Sequence, residues 1–175
     1  PALVLHHVTD FRVLRLELGE AHIAIRAGLR PQEPDNVVQH LMPLQIGLYA
    51  SRSYANRVGL PNEQSLGDHR FIGPDERAPR APFDRWLAAR VQPAQIVFRS
   101  NDFGSTFEAI RSGIGLGFML RQLALRDPDL VEALPIAEDW GSSLWLVTHV
   151  DLHRTPKVQA AVTALKHDLR ALAEV

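Results

Sequence analysis

Hydrophobic runs of period two alternate with runs of helical period along most of this 175-residue chain. That alternation restricts the fold more than any other feature. Period two marks strands and a period near 3.6 marks helices, and interleaving them demands helices layered on a sheet. The fold class expected is therefore α/β. The strand-like runs are LVLHHV (3–8), AHIAIR (21–26), VVQHL, LQIGLYA, AQIVFR (94–99), IGLGFM and SSLWLVTH (142–149), with LVEALP a short extended piece. In the second, Ala21, Ile23 and Ile25 share one face; in SSLWLVTH, Leu144 and Leu146 oppose Trp145 and Val147.

The helical runs carry their own punctuation. Thr9-Asp10 offers an N-cap to FRVLRLEL (11–18), where Phe11, Leu14 and Leu18 form a stripe and Gly19 the stop. Ser51 is placed to cap SRSYANRVG, and SLGDHRFI reads as one helical turn and a strand. Pro82 stands in the first turn of PFDRWLAAR (82–90). In FGSTFEAIRS, Phe103, Phe107 and Ile110 lie together; Ser105 with Glu108 fits a capping box, while Asn101 or Asp102 is an alternative cap. Thr155-Pro156 opens the closing helix, whose stripe runs through Val158, Ala161, Val162, Leu165, Leu169 and Leu172. The chain begins inside a strand, at a proline, so its front is expected to lack one βα unit.

Hydrophobic content of 46% with 22% charge is that of a globular protein large enough for one core or two small lobes. No apolar run approaches the roughly 20 residues of a membrane span, and no basic leader precedes the first strand. The absence of cysteine excludes disulfides, thiolate nucleophiles and cysteine-based zinc sites, and fits a reducing cytoplasm. Net charge is −1 with Lys and Arg scattered, so no basic stripe for nucleic-acid phosphates is expected.

Gly113, Gly115 and Gly117 invite a phosphate-loop reading, but the spacing is Gly-x-Gly-x-Gly and it follows a helix. A dinucleotide fingerprint has Gly-x-Gly-x-x-Gly between a strand and the helix it opens. The better reading is a helix stop at Gly113 and a strand whose backbone approaches something closely. Ser100-Asn101-Asp102 stands where a strand ends and a helix begins, the edge at which open α/β sheets bind ligands; helix capping is the competing role. Arg26-Ala27-Gly28 ends another strand. Arg26 suits a carboxylate ligand there and suits structural pairing equally.

Eight histidines raise a metal site, with His149, Asp151 and His153 the right types. His149 and His153 flank a strand end without a defined third partner, and His6 and His7 point to opposite faces of a strand, so no metal and no cofactor is expected. Ser65, Asp68 and His69 include the types of a hydrolase triad, but within five residues they do not readily converge. A small hydrolase using Asp68 and His69 is the weakest of three functional readings.

With these segments in place, the chain resembles the effector-binding domain of LysR-type transcriptional regulators. LELGEAHIAIRAG resembles that family's "leaxGExDlAIRxG" segment, with Glu20 and Ala24-Ile25-Arg26 in their usual places. LQIGLYASRSYANRVGLPNEQSLGDHRFI, RSNDFGSTFEAIRSGIGLGFMLRQLA and LWLVTHVDLHRTPKVQAAVTAL resemble its next blocks, in order. His22 departs from the family's usual Asp, and the first βα unit and the upstream winged helix-turn-helix are missing.

The resemblance implies a periplasmic-binding-protein-like fold of two α/β lobes joined by two crossover strands. Lobe I comprises 1–48 plus 148–175 and lobe II 49–147. It implies a non-enzymatic, cytoplasmic sensor in which a small effector, often an anion, binds between the lobes. Arg26, Ala27 and Gly28 form one lip, and Phe71, Ile72, Ser100, Asn101 and Phe118 line the other side; Asp102 caps a helix. Partners are a second copy in a homodimer, or a tetramer at full length, and DNA only through the missing domain, with no membrane. The alternative is a solute-binding protein of a transporter, which shares the fold.

Overall fold

The computed structural model describes residues 3–10, 12–75 and 81–173, with side chains of residues 170–173 outside the described set. In chain order the elements are β1 (Ala24–Gly28), β2 (Asn36–Leu44), β3 (Ile46–Ser51), α1 (Arg52–Val58), β4 (Phe71–Gly73), α2 (Pro82–Arg90) and β5 (Ile96–Arg99). Then follow α3 (Phe103–Arg111), β6 (Gly117–Leu120), α4 (Arg121–Ala124), β7 (Leu130–Glu132), β8 (Ser142–His149), α5 (Val150–His153) and α6 (Pro156–Ala173). The chain divides into two compact units, residues 1–43 with 143–175, and residues 44–142. The lobe boundaries drawn at 48/49 and 147/148 fall inside β3 and β8.

In the first unit, β8 is the middle strand of a three-stranded sheet ordered β1-β8-β2. β1 runs antiparallel to β8, with Arg26 opposite Trp145. Leu146 and Val147, on opposite faces of β8, are both fully buried. Leu146 packs with Val158 and Val162 of α6, joined by Ile23, Leu41, Leu152 and Leu165. The closing helix thus forms where its apolar stripe predicts, and Val158, Ala161 and Val162 bury it. Each such buried branched side chain contributes about 1.5–3 kcal/mol. Leu172 lies outside the described side chains.

The second unit is built on β3. All six of its residues are buried, so it is covered on both faces, which explains why LQIGLYA reads as a nearly unbroken apolar run. It stands between β6 and β7 and is antiparallel to both. One face carries Leu48, Ala50, Tyr54, Leu87, Phe118 and Trp140; the other carries Tyr49, Met119, Ala109 and Ile110. β4 and β5 form a parallel pair, and a parallel bridge from Phe71 to Leu116 extends it to the chain leading into β6. The strands are thereby ordered β5-β4-β6-β3-β7.

The three glycines explain how that join is made. A Cβ on Gly115 would lie 2.8 Å from the carbonyl oxygen of Arg70. On Gly117 it would meet Ile110 at 2.8 Å, and on Gly113 the Ser53 hydroxyl at 2.7 Å. Gly113 also has φ +74°, the left-handed turn that ends the helical segment. The expectation of a helix stop followed by a closely approached strand is what the structure shows.

Several elements differ from expectation. LVLHHV is not a strand: residues 3–10 have no regular structure, because no described strand pairs with them and an unpaired apolar run gains no ladder. FRVLRLEL is not a helix but a single 3-10 turn, Leu16–Leu18, closed by Gly19 at φ +72°. The Asp10 carboxylate accepts from Arg12 N–H at 2.9 Å, a local turn that competes with helix initiation. The residue buried there is Leu16, while Leu18 is exposed and Phe11 lies outside the described residues. In β1, Ile25 faces out and Ala24, Arg26 and Gly28 are half-buried, the reverse of the expected alternation. Phe103 likewise leaves the expected α3 stripe for solvent.

Because Gly115 meets backbone that cannot turn aside, Gly115→Ala is expected to lower unfolding stability by roughly 1–3 kcal/mol, the range for overpacking. Gly67→Ala, where nothing lies within 4 Å, is expected to leave it unchanged. Urea denaturation midpoints of the two variants test this contrast.

Candidate functional site

In the first unit, β1 ends in Arg26-Ala27-Gly28. Gly28 has φ +126°, a conformation reserved for glycine, and its carbonyl accepts from the Trp145 indole N–H at 2.9 Å. The rings of Trp145 and His40 meet edge-on at 5.1 Å. The Arg26 guanidinium is 18% exposed; it donates to Glu33 at 2.6 Å and to the Leu14 carbonyl at 3.2 Å. The Glu33 carboxyl is held below its usual range, first by its own backbone N–H and then by Arg26. Of the two roles open to Arg26, structural pairing is the one occupied here.

Arg12 and Arg15 fix the turn upstream by gripping Glu20. The Arg15 backbone N–H donates to it at 2.8 Å, Arg12 Nη1 approaches at 3.0 Å and Arg15 Nη2 at 3.3 Å. The Arg15 backbone N–H, then the two guanidiniums, hold the Glu20 carboxyl below its usual range.

In the second unit, the turn from β5 to α3 is tied locally. Ser100 N–H donates to Gly73 O at 3.1 Å, and the Ser100 hydroxyl accepts from Asp102 N–H at 3.0 Å. Asn101 Oδ1 accepts from Asp75 N–H at 3.0 Å. Asp102 is the N-cap of α3, accepting from the Ser105 N–H and hydroxyl, both at 2.7 Å, and these two bonds keep its carboxyl low. Phe71 and Ile72 are buried on opposite faces of the sheet. Phe118 is 7% exposed and packs among Phe83, Trp86 and Trp140 at 5.0–5.7 Å between ring centres. Ser100 and Asn101 are thus half-buried at a strand-to-helix turn, while Phe71, Ile72 and Phe118 give their side chains to the core.

No triad forms from Ser65, Asp68 and His69. Ser65 Oγ accepts from Asn62 N–H at 2.9 Å, Asp68 is exposed, and His69 is buried at 4%. His69 Nδ1 lies 3.2 Å from the Tyr54 hydroxyl, which also accepts from Arg70 N–H at 3.0 Å. Tyr54 thus ties the His69 ring to the chain entering β4. Desolvation holds His69 below its ordinary value, opposed by the charge of Asp68. Nothing in the sequence pairs His69 with a tyrosine 15 residues away. Among the described residues, no three His, Asp or Glu side chains gather as metal ligands, and no helix is long and apolar enough to cross a membrane.

The fold is one of two α/β units, each built on its own sheet. The chain belongs to the LysR substrate binding domain family, whose model matches residues 1–170. A search of curated proteins finds no relative by sequence.

Among solved structures it is similar to the regulatory domain of CrgA, a LysR-type transcriptional regulator from Neisseria meningitidis. The TM-score is 0.73 at 19% identity, over 88% of this chain and 78% of that one. It is also similar to the effector domain of the regulator AmpR of Pseudomonas aeruginosa, with TM-score 0.65 and 20% identity over 93% and 79% of the two chains. A third likeness is full-length CbnR in complex with its target DNA, with TM-score 0.57 and 14% identity over 88% of this chain and 54% of that one. The fold is the periplasmic-binding-protein-like one, and these similar structures are of transcriptional regulators or their regulatory domains.

The buried neutral histidine gives a pH dependence of known sign. Its unfolded form takes up a proton near the ordinary histidine value of 6.5, and its folded form only at lower pH. Its contribution to stability is therefore complete above pH 6.5 and lost as pH falls from there through the lowered folded value. Urea midpoints measured between about pH 5 and 8 are expected to fall on the acid side, with that fall flattened in His69→Gln.

Proposed function

We propose that this chain senses a small effector for a transcriptional regulator and performs no catalysis. The observation that carries the reading is the family match over residues 1–170. The same match argues against the transporter reading, since it names the regulator branch of the fold. Against a hydrolase stands the engagement of His69 by Tyr54.

The residues proposed to meet the effector are Arg26, Ala27 and Gly28 at the end of β1, and Ser100 and Asn101 after β5. Phe71, Ile72 and Phe118 set the backbone beneath that second edge, because their side chains anchor it from the core. A carboxylate is the favoured group. Glu33, itself exposed, already shows how Arg26 holds one, and a ligand carboxylate exchanges for it at modest cost. The effector then shifts the balance between two arrangements of the protein by binding one of them better. A second copy in a homodimer, or a tetramer at full length, and DNA reached through a separate domain in the cytoplasm complete the proposal. CbnR, of the same family, is a full-length regulator solved on its target DNA.

Isothermal titration against small mono- and dicarboxylates is expected to find a binder whose affinity falls roughly tenfold in Asn101→Ala, the value of a hydrogen bond to a charged group. A dicarboxylate whose affinity is unchanged in both Arg26→Ala and Asn101→Ala would overturn this site.

A further inference from the structure

The second unit holds a groove of about 780 Å³ that effector recognition does not use. It gathers the C-terminal end of α1, the chain entering β4, and the turn leaving α3. Ser100 and Asn101 follow β5 and precede α3, so the groove lies at the opposite end of these elements. Part of its wall is aliphatic: Val58, Val97 and Ile114 line it and are 43%, 46% and 39% exposed. A single exposed aliphatic side chain is ordinary, but three lining one concavity form a binding surface.

Arg57 and Arg70 line the same groove together with Asp68. The Arg57 guanidinium is pre-set. It lies over the Tyr54 ring, 5.6 Å from its centre, and donates to the Gly113 carbonyl at 2.7 Å. The backbone of Arg70 is fixed by its N–H bond to the Tyr54 hydroxyl. One tyrosine thus contacts both residues, the Arg57 guanidinium through its ring and the Arg70 backbone through its hydroxyl. Two guanidiniums against one carboxylate leave a single net positive charge.

We propose that this groove is a second ligand site, for an amphipathic monocarboxylate. The carboxylate bridges Arg57 and Arg70, and the hydrocarbon body lies on Val58, Val97 and Ile114. Asp68 selects against a second negative charge, so inorganic phosphate and dicarboxylates bind poorly. The effector reading above does not enter this argument.

Octanoate is the probe, titrated by calorimetry and by amide chemical shifts, with inorganic phosphate and octan-1-ol alongside. Octanoate is expected to bind, to shift amides at residues 57–58 and 112–114, and to weaken roughly tenfold in Arg57→Gln and in Arg70→Gln. Asp68→Asn is expected to bind octanoate a few-fold more tightly. Val97→Glu, an exposed change that spares the Arg57 contacts, is expected to abolish binding, while Arg26→Ala and Asn101→Ala leave it unchanged. Phosphate binding as strong as octanoate, indifference to Arg57→Gln, Arg70→Gln and Val97→Glu, or loss in Arg26→Ala overturns the proposal. The last outcome would place octanoate at the effector strand ends and leave that reading intact.

Discussion

The contact on which the second unit depends is the approach of Gly115-Leu116 to Arg70-Phe71. Leu116 N–H donates to Arg70 O at 2.8 Å and Ile72 N–H to Leu116 O at 2.7 Å. Those two bonds join the β4-β5 pair to the β6-β3-β7 sheet, and a single core then covers Phe71 and Leu116, both at 0% exposure. A two-stranded parallel pair alone would expose its unpaired polar edge and both its faces. Only a residue without a Cβ permits the approach, which is why the alternate glycines follow the helix rather than precede one. The same join fixes both places where ligands are proposed: the turn after β5 on one side and the start of β4 on the other.

Much of this was legible in the sequence, and the reasons differ by element. Period and punctuation located α1, α2, α3 and α6 because Ser51, Pro82, Asp102 and Thr155-Pro156 are strong local signals that tertiary packing has no cause to override. The doubly buried β3 was legible for the opposite reason, since an apolar run without polar interruption has only the interior to go to. The front of the chain was misread. FRVLRLEL has helical spacing, but Arg12 and Arg15 serve Glu20, and that polar network holds the segment in an open turn. LVLHHV has strand composition, but a strand is defined by its neighbour, which composition does not report.

The site residues show where a residue-by-residue reading stops. That Arg26 stands at a strand end could be read from order; that Glu33 and the Leu14 carbonyl occupy it could not, since both partners depend on how two loops return to β1. Phe118 looked like a lining residue and is instead part of a four-ring aromatic cluster, whose edge-to-face contacts are set by α2 and by Trp140. The Tyr54–His69 pair was invisible for the same reason. It forms across separate elements, and it converts a histidine that reads as a catalytic base into a neutral, desolvated structural group.

Arg26, Ala27, Gly28, Ser100 and Asn101 are proposed to recognise the effector. Hydrogen–deuterium exchange of the chain with a small carboxylate that raises its melting temperature tests this most directly. Slowed exchange is expected at residues 26–29 and 99–103 together. A dicarboxylate that stabilises the protein and leaves the amides of both stretches unchanged would contradict it.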